Sequence, residues 1–306
     1  MINNFSKLNP EHRLFKQLSE CKPIWWQNIV NKRDDFYIEV RKDNYIDVYF
    51  NGGAIMKLSY SNGFKGEIHF EYVPLKSQKN YVPFVFSDDN IKIATDKLAI
   101  GAIDNFSSVG ISAFQKRIAK FFPANSEKGI QADFVLKNSA FIDTEFAYNT
   151  PGGIIRFDLV WIDLRTHKLY VVELKTIGDK RLYVNGNRQT DSVDDKIDLQ
   201  LKKYRTFIRE NTQNLHDHYE RVFAVKKDLG ILRGELKDLN SLDGYSFEER
   251  PILLIGDCTQ AWINDNGVKL KCAIENIAYG CFYQGQGTRK FSIPSDSIRN
   301  KFVFKP

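Results

Sequence analysis

The sequence predicts an α/β chain: a mixed central sheet flanked by helices over residues 116–306, preceded by a smaller N-terminal domain, residues 1–115, rich in antiparallel strands. Three features predict this. Between Phe36 and Val73 the runs FYIEV, YIDVYF, AIMKLSY and EIHFEYV are separated by KDN, NGG and SNGFKG, residue types that form tight turns. Three strand-like segments follow one another at 141–148, 154–163 and 168–176. After a polar loop at 178–193 come helical patterns at 194–210 and 215–229, then the apolar strand PILLIGD at 251–257.

Taken in order, residues 1–33 read as amphipathic helix anchored by Trp25 and Trp26. The meander of short strands follows, whereas 74–105 carries no clear pattern. Ser107–Phe122 has helical spacing, with Ile111, Phe114, Ile118 and Phe121 on one stripe, and a further helix is expected over 126–137. The domain boundary is expected between 105 and 125. Ser192 and Asp195 have the spacing of a capping box for the long helix, which is expected to start just before them.

Composition is that of a soluble globular protein, 42% hydrophobic and 27% charged, with 23 Phe and 14 Tyr suited to a sheet-rich core. A net charge of +6 is modest for a protein that coats nucleic acid. Its distribution is uneven: residues 165–209 hold eleven basic and six acidic side chains. Cys21, Cys258, Cys272 and Cys281 lack CxxC spacing and read as reduced, mostly buried thiols. No apolar run is long enough to span a membrane, and the N-terminus lacks the apolar core of a signal peptide, so a cytoplasmic protein with no membrane partner is expected.

The chemistry concentrates in IIRFDLVWIDLRTHKLYVVELKT. Glu173 and Lys175, two apart on a strand, project from one face, yet their neighbours Val171, Val172 and Leu174 are apolar. Burying such charges is costly unless they are paired or bind a metal. A hairpin turn centred on Arg165 and Thr166 places Asp158 directly across from Glu173. Opposed side chains lie about 5 Å apart, close enough for two carboxylates to share a divalent cation. An ordinary Glu–Lys pair on an exposed strand is the plainer alternative.

Asp158, followed after fourteen residues by the ExK of Glu173 and Lys175, resembles the PD-(D/E)XK nuclease superfamily of restriction endonucleases and RecB-type nucleases, over residues 126–210. Phe157 stands where that motif has proline. Gln200 and Tyr204 match the QxxxY helix of the RecB-like branch, although Tyr204 also belongs to an ordinary core stripe with Ile197, Leu201 and Ile208. Glu145, with Asp143 as a rival, stands where many members carry an additional acid.

The resemblance implies a restriction-endonuclease-like fold and a Mg²⁺ ion, replaceable by Mn²⁺, held by Asp158, Glu173 and the carbonyl of Leu174, with Glu145 at a second ion or a metal-bound water. Lys175 would orient the attacking water, Gln200 and Tyr204 would complete the catalytic set, and Lys202, Lys203 and Arg205 would meet flanking phosphates. The expected partner is nucleic acid, DNA favoured, in prokaryotic restriction, repair or anti-phage defence. An RNase on the same site and a catalytically silent nucleic-acid-binding or assembly module stay open, as does a second copy or protein partner on the N-terminal domain. His216 and His218 are expected on a solvated helix surface. The glycine-rich loop YQGQGTRK at 283–290 matches no nucleotide-binding pattern and is expected to be a turn.

Overall fold

The computed structural model describes residues 4–73, 80–87, 91–93, 108–183, 196–287, 289–293 and 302–305. The chain divides into two compact units, Met1–Ser139 with His218–Ser241, and Ala140–Asp217 with Leu242–Pro306. The expected division at 115/116 falls inside a helix (α3 below), and the unit holding the N-terminus is the larger of the two. Its second segment is tied in by contacts remote in sequence. Lys226 donates to Glu39 Oε2 at 2.7 Å, and Arg233 donates to the carbonyls of Val135 and Leu136. Local patterning carries no trace of such contacts.

In the first unit the N-terminal segment is broken into short turns around α1 (Arg13–Lys16) and α2 (Ile24–Asn31), separated by a π turn at Gln17–Cys21. Lys22, with φ 44°, and Pro23 end the π turn and restart the chain as α2. Trp25 and Trp26 are buried as expected, and the Trp25 ring lies 5.1 Å from Phe64 and 5.0 Å from Phe86. The meander is present as β1 (Tyr37–Arg41), β2 (Tyr45–Phe50), β3 (Gly53–Tyr60) and β4 (Phe64–His69). It continues through β5 (Tyr81–Phe86) and β6 (Ile91–Ile93) as a six-stranded antiparallel sheet in chain order. Asn51 (φ 47°) and Gly52 (φ 91°) both take the left-handed conformation that a two-residue hairpin turn demands. Next come α3 (Ser108–Phe121) and α4 (Glu127–Lys137), the latter capped by Ser126, whose Oγ accepts from the Gly129 amide at 3.1 Å.

The second unit holds β7 (Phe141–Thr150), β8 (Gly153–Asp163), β9 (Lys168–Thr176), α5 (Ile197–Glu210) and the first residues of α6 (Thr212–Asp228), whose remainder from His218 belongs to the first unit. Then follow β10 (Ser246–Phe247), β11 (Ile252–Cys258), α7 (Gln260–Ile274), β12 (Gly280–Gly285) and β13 (Phe302–Lys305). The sheet is mixed, in the order β13-β12-β11-β9-β8-β7. The pairs β7–β8 and β8–β9 are antiparallel, and the pairs joining β9, β11, β12 and β13 are parallel. Strand β9 therefore has a neighbour on each side, and its seven residues Leu169–Lys175 are all buried.

Leu253, Ile255, Cys281 and Tyr283 form one side of a core closed by Ile197 and Leu201 of α5 and by Trp262, Leu270 and Ile274 of α7. Each such aliphatic side chain contributes about 1.5–3 kcal/mol on full burial, which fixes α5 against the sheet. Helix α5 starts at Ile197 behind Lys196, with no side-chain cap, rather than just before Ser192; Ser192 and Asp195 lie outside the described residues. Helix α7, which the sequence pattern did not reveal, is capped by Thr259 on the Trp262 amide at 3.2 Å. Among the described residues no helix is long and apolar enough to cross a membrane.

Candidate active site

The β8–β9 hairpin has the expected register, from Leu159 opposite Val172 through Val160 opposite Val171 to Asp163 opposite Lys168. One residue before Leu159, the Asp158 carboxylate reaches across and its Oδ2 accepts the amide hydrogen of Leu174 at 2.9 Å. Glu173 and Lys175 lie on one face of β9 and are each 1% exposed, paired in register with the apolar Leu253 and Ile255 of β11.

Three oxygens converge on the Lys175 ammonium. It donates to the Leu174 carbonyl at 2.8 Å, touches Glu173 Oε1, and lies 3.5 Å from Asp158 Oδ2. These are the three ligands the resemblance assigns to a divalent ion. Helix α5 supplies the rest of the cluster. Gln200 Nε2 donates to Glu173 Oε1 at 2.6 Å and to the Tyr204 hydroxyl at 2.7 Å, and that hydroxyl donates to Glu173 Oε2 at 3.0 Å. Residues 200 and 204, one turn apart on a helix, thus face the same carboxylate.

Burial pushes the Glu173 carboxyl up to about 8, and the negative charge of Asp158 adds to this; Lys175 and the Tyr204 hydrogen bond oppose it. The Tyr204 phenol is raised by burial and then by the charge of Glu173. A divalent cation has what this cluster calls for: hard oxygen donors of two carboxylates and a carbonyl, already disposed about a positive charge. Lys175 holds that position.

Glu145 lies in β7 between Thr144, opposite Leu159, and Phe146, opposite Phe157, and so runs alongside Asp158. Its φ of 56° is left-handed, an unfavourable conformation for a non-glycine strand residue, costing on the order of 1 kcal/mol or more. Among the described residues no three His, Cys, Asp or Glu side chains gather as a metal-holding group, so Glu145 does not join Asp158 and Glu173 in a three-carboxylate cluster. Its rival Asp143 is buried, with Oδ1 accepting the Thr144 amide at 2.8 Å.

Of the basic residues expected at phosphates, Lys202 and Lys203 are exposed, Lys202 lying 3.6 Å from Asp198. Arg205 is instead tied down at the surface, donating to Glu249 at 2.5 Å and to the Asn276 carbonyl at 2.9 Å. His218 is not on a solvated surface but 2% exposed beside Phe5, because it falls on the stripe of α6 shared by Val222 and Val225. His216 is partly exposed, 3.8 Å from Asp217. The stretch expected as a turn begins inside β12, and Arg289 within it is buried against Asp257 at 2.8 Å. Cys258 and Cys281 are buried, but Cys21 and Cys272 are exposed; all four are free thiols.

Sequence reasoning missed Asp179 and Arg181. Asp179 caps a short 3₁₀ turn after β9 and also grips the Arg181 guanidinium, which in turn reaches Gln200 Oε1 at 3.4 Å. The only signal was an aspartate two residues before an arginine, a common turn pattern. Compared with protein-family models, curated proteins and solved structures, the chain gave no match.

Proposed function

We propose that the second unit is a metal-dependent nuclease with a restriction-endonuclease-like arrangement, hydrolysing phosphodiester bonds in nucleic acid, DNA favoured. One observation carries the reading: Asp158, Glu173 and the Leu174 carbonyl turn their oxygens on a single buried cation, the Lys175 ammonium. A chain that needed only a stable strand has little reason to bury Glu173 and Lys175 beside the partly exposed Asp158, since apolar replacements of buried ion pairs are often neutral or stabilising.

Asp158, Glu173 and the Leu174 carbonyl are the groups that would hold Mg²⁺ or Mn²⁺, and Glu145 is not one of them. The ion supplies a water of lowered pKa and neutralises charge on the phosphate. With an ion bound there, Lys175 would keep its positive charge next to the cut and would orient the attacking water. Gln200 and Tyr204 hold both Glu173 oxygens in place. Lys202 and Lys203 offer exposed charge to flanking phosphates, contacts that position a strand without reading its bases.

A second reading has one observation in its favour. Both Glu173 oxygens are engaged by protein donors, which would also suit a silent binding or assembly module of the same fold. Calorimetric titration with Mg²⁺ and Mn²⁺, followed by incubation with plasmid, linear duplex, single-stranded DNA and RNA, separates these. The nuclease reading expects metal binding that Asp158→Asn weakens, and cleavage of at least one DNA. Cleavage confined to RNA would make the protein an RNase. Absence of both metal binding and cleavage would leave the silent module.

A further inference from the structure

We infer that Arg181 is a positioning residue for this site: its guanidinium, clamped by Asp179, fixes the side-chain amide of Gln200 in the one orientation that serves Glu173. The inference builds on the nuclease reading for its kinetic consequence but not for its geometry.

The clamp is unusually complete for a surface pair. Asp179 Oδ1 accepts the Arg181 backbone amide at 2.9 Å and the Nε hydrogen at 2.9 Å, while Oδ2 takes the terminal Nη2 at 2.5 Å. Asp179 is only 12% exposed, and its carboxyl is held below its usual range: burial alone would raise it, but the hydrogen bonds and charge of Arg181 prevail. The backbone amide bond fixes Asp179, and three bonds from the guanidinium to both of its oxygens, the third from Nε to Oδ2 at 3.2 Å, leave the planar group little rotational freedom and set the direction of Nη1.

Nη1 points at Gln200 Oε1, 3.4 Å away. An amide side chain has one carbonyl acceptor and two N–H donors. Here the carbonyl faces Arg181, and the nitrogen donates to Glu173 Oε1 and the Tyr204 hydroxyl. A flip would set Gln200 Oε1 against the Glu173 carboxylate and its NH₂ group against the guanidinium, which is unfavourable at both ends. Arg181 thereby defines, from outside the cluster, which atoms of Gln200 meet Glu173. Outer partners of this kind typically cost 10–100-fold in activity or metal affinity when removed.

The test compares the full-length chain with Arg181→Ala and Arg181→Lys. The lysine variant keeps a positive charge but loses the fork that Asp179 grips. The first readout is the pair of Gln200 side-chain amide proton resonances, assigned by their absence in Gln200→Glu, and it requires no catalysis. They are expected to be well dispersed and slow to exchange in the parent, and to move towards solvent-like values in both variants while circular dichroism stays unchanged. Unmoved amide resonances in a folded variant overturn the inference. The second readout is cleavage kinetics: kcat should fall about tenfold or more in both variants with KM changed less than about twofold. A raised KM at constant kcat, or full rescue by Arg181→Lys, would make Arg181 a phosphate-binding residue and overturn the positioning role. A parent chain that cleaves nothing defeats the nuclease reading alone, because the resonances still decide the geometry.

Discussion

Tyr204 donates its hydroxyl hydrogen to Glu173 Oε2 across 3.0 Å, so a residue on the apolar stripe of α5 also holds the carboxylate at the centre of β9. Its ring packs on Phe157 at 5.1 Å and would stay there without the hydroxyl. Tyr204→Phe should therefore fold normally, lose about 1–3 kcal/mol for the bonds left unmade, and cleave about tenfold more slowly. Urea unfolding and turnover measured on the same preparation check this; unchanged turnover would reduce Tyr204 to a core residue.

Lys175 and the proposed metal compete for the same three oxygens. Lys175→Met should bind Mg²⁺ as well as the parent or more tightly, because a like charge is gone, while its turnover falls by orders of magnitude. Asp158→Asn should lose both. Isothermal titration and cleavage in Mg²⁺ and Mn²⁺ distinguish the two patterns, and equal cleavage by Lys175→Met and parent would contradict the role given to the lysine.

Exposed Lys202 and Lys203 should act on binding alone. Alanine at either should weaken nucleic-acid affinity across sequences and flatten the log–log salt dependence by about 0.7–0.9 for each phosphate no longer neutralised. Arg205→Ala should instead lower thermal stability, since its guanidinium joins Glu249 to the Asn276 carbonyl. Fluorescence titrations at several salt concentrations, alongside melting curves, would expose an error in this division of labour.

His218 gives the first unit a pH dependence. Burial, reinforced by the charges of Arg221 and Lys42, lowers its pKa from 6.5 to about 3. A depressed folded-state value means the unfolded chain binds the proton first, so the contribution is complete above pH 6.5 and is lost as pH falls towards 3. The slope is about 1.4 kcal/mol per pH unit at most. Between pH 6.5 and 4.5 the parent should lose up to about 3 kcal/mol more than His218→Gln; parallel pH profiles in urea would refute the assignment.

Glu39 and Lys226 form a buried pair at 2.7 Å, with side chains 2% and 7% exposed. Lys226→Ala should destabilise by about 3–5 kcal/mol by stranding a buried carboxylate, and adding Glu39→Leu should restore much of the loss. The double-mutant cycle measures the coupling directly, and additive losses would show that the two groups act independently.

Strands β1–β4, β7–β9 and β11 were readable because their signals are local, whereas β5, β6, β10, β12 and β13 were not read. Turn residues at NGG and SNGFKG and the alternation beside them set the meander, and a short turn at Arg165–Thr166 was enough to set the β8–β9 register that brings Asp158 to the Leu174 amide and Lys175. The face of α5 that meets Glu173 was readable from the spacing of Gln200 and Tyr204. What escaped depends on contacts remote in sequence or on side-chain reach. The spacing of His218 with Val222 and Val225 was there to be read, but the return of residues 218–241 to the first unit and the ties of Arg205 to Glu249 and Asn276 have no periodic signature. Neither does the left-handed backbone of Glu145, nor the grip of Asp179 on Arg181, where two residues that suit any loop are joined by four hydrogen bonds.

The first unit is discontinuous, and this sets a timetable for synthesis. Glu39 precedes its partner Lys226 by 187 positions. At about 5–20 residues per second, the interval between them on the ribosome is roughly 10–40 s. Until then β1 carries a carboxylate destined for the interior without the ammonium of Lys226, and the unit lacks the segment that ties in at Glu39 and at the end of α4. A nascent chain ending before residue 218 contains the whole meander yet only part of the unit to which it belongs.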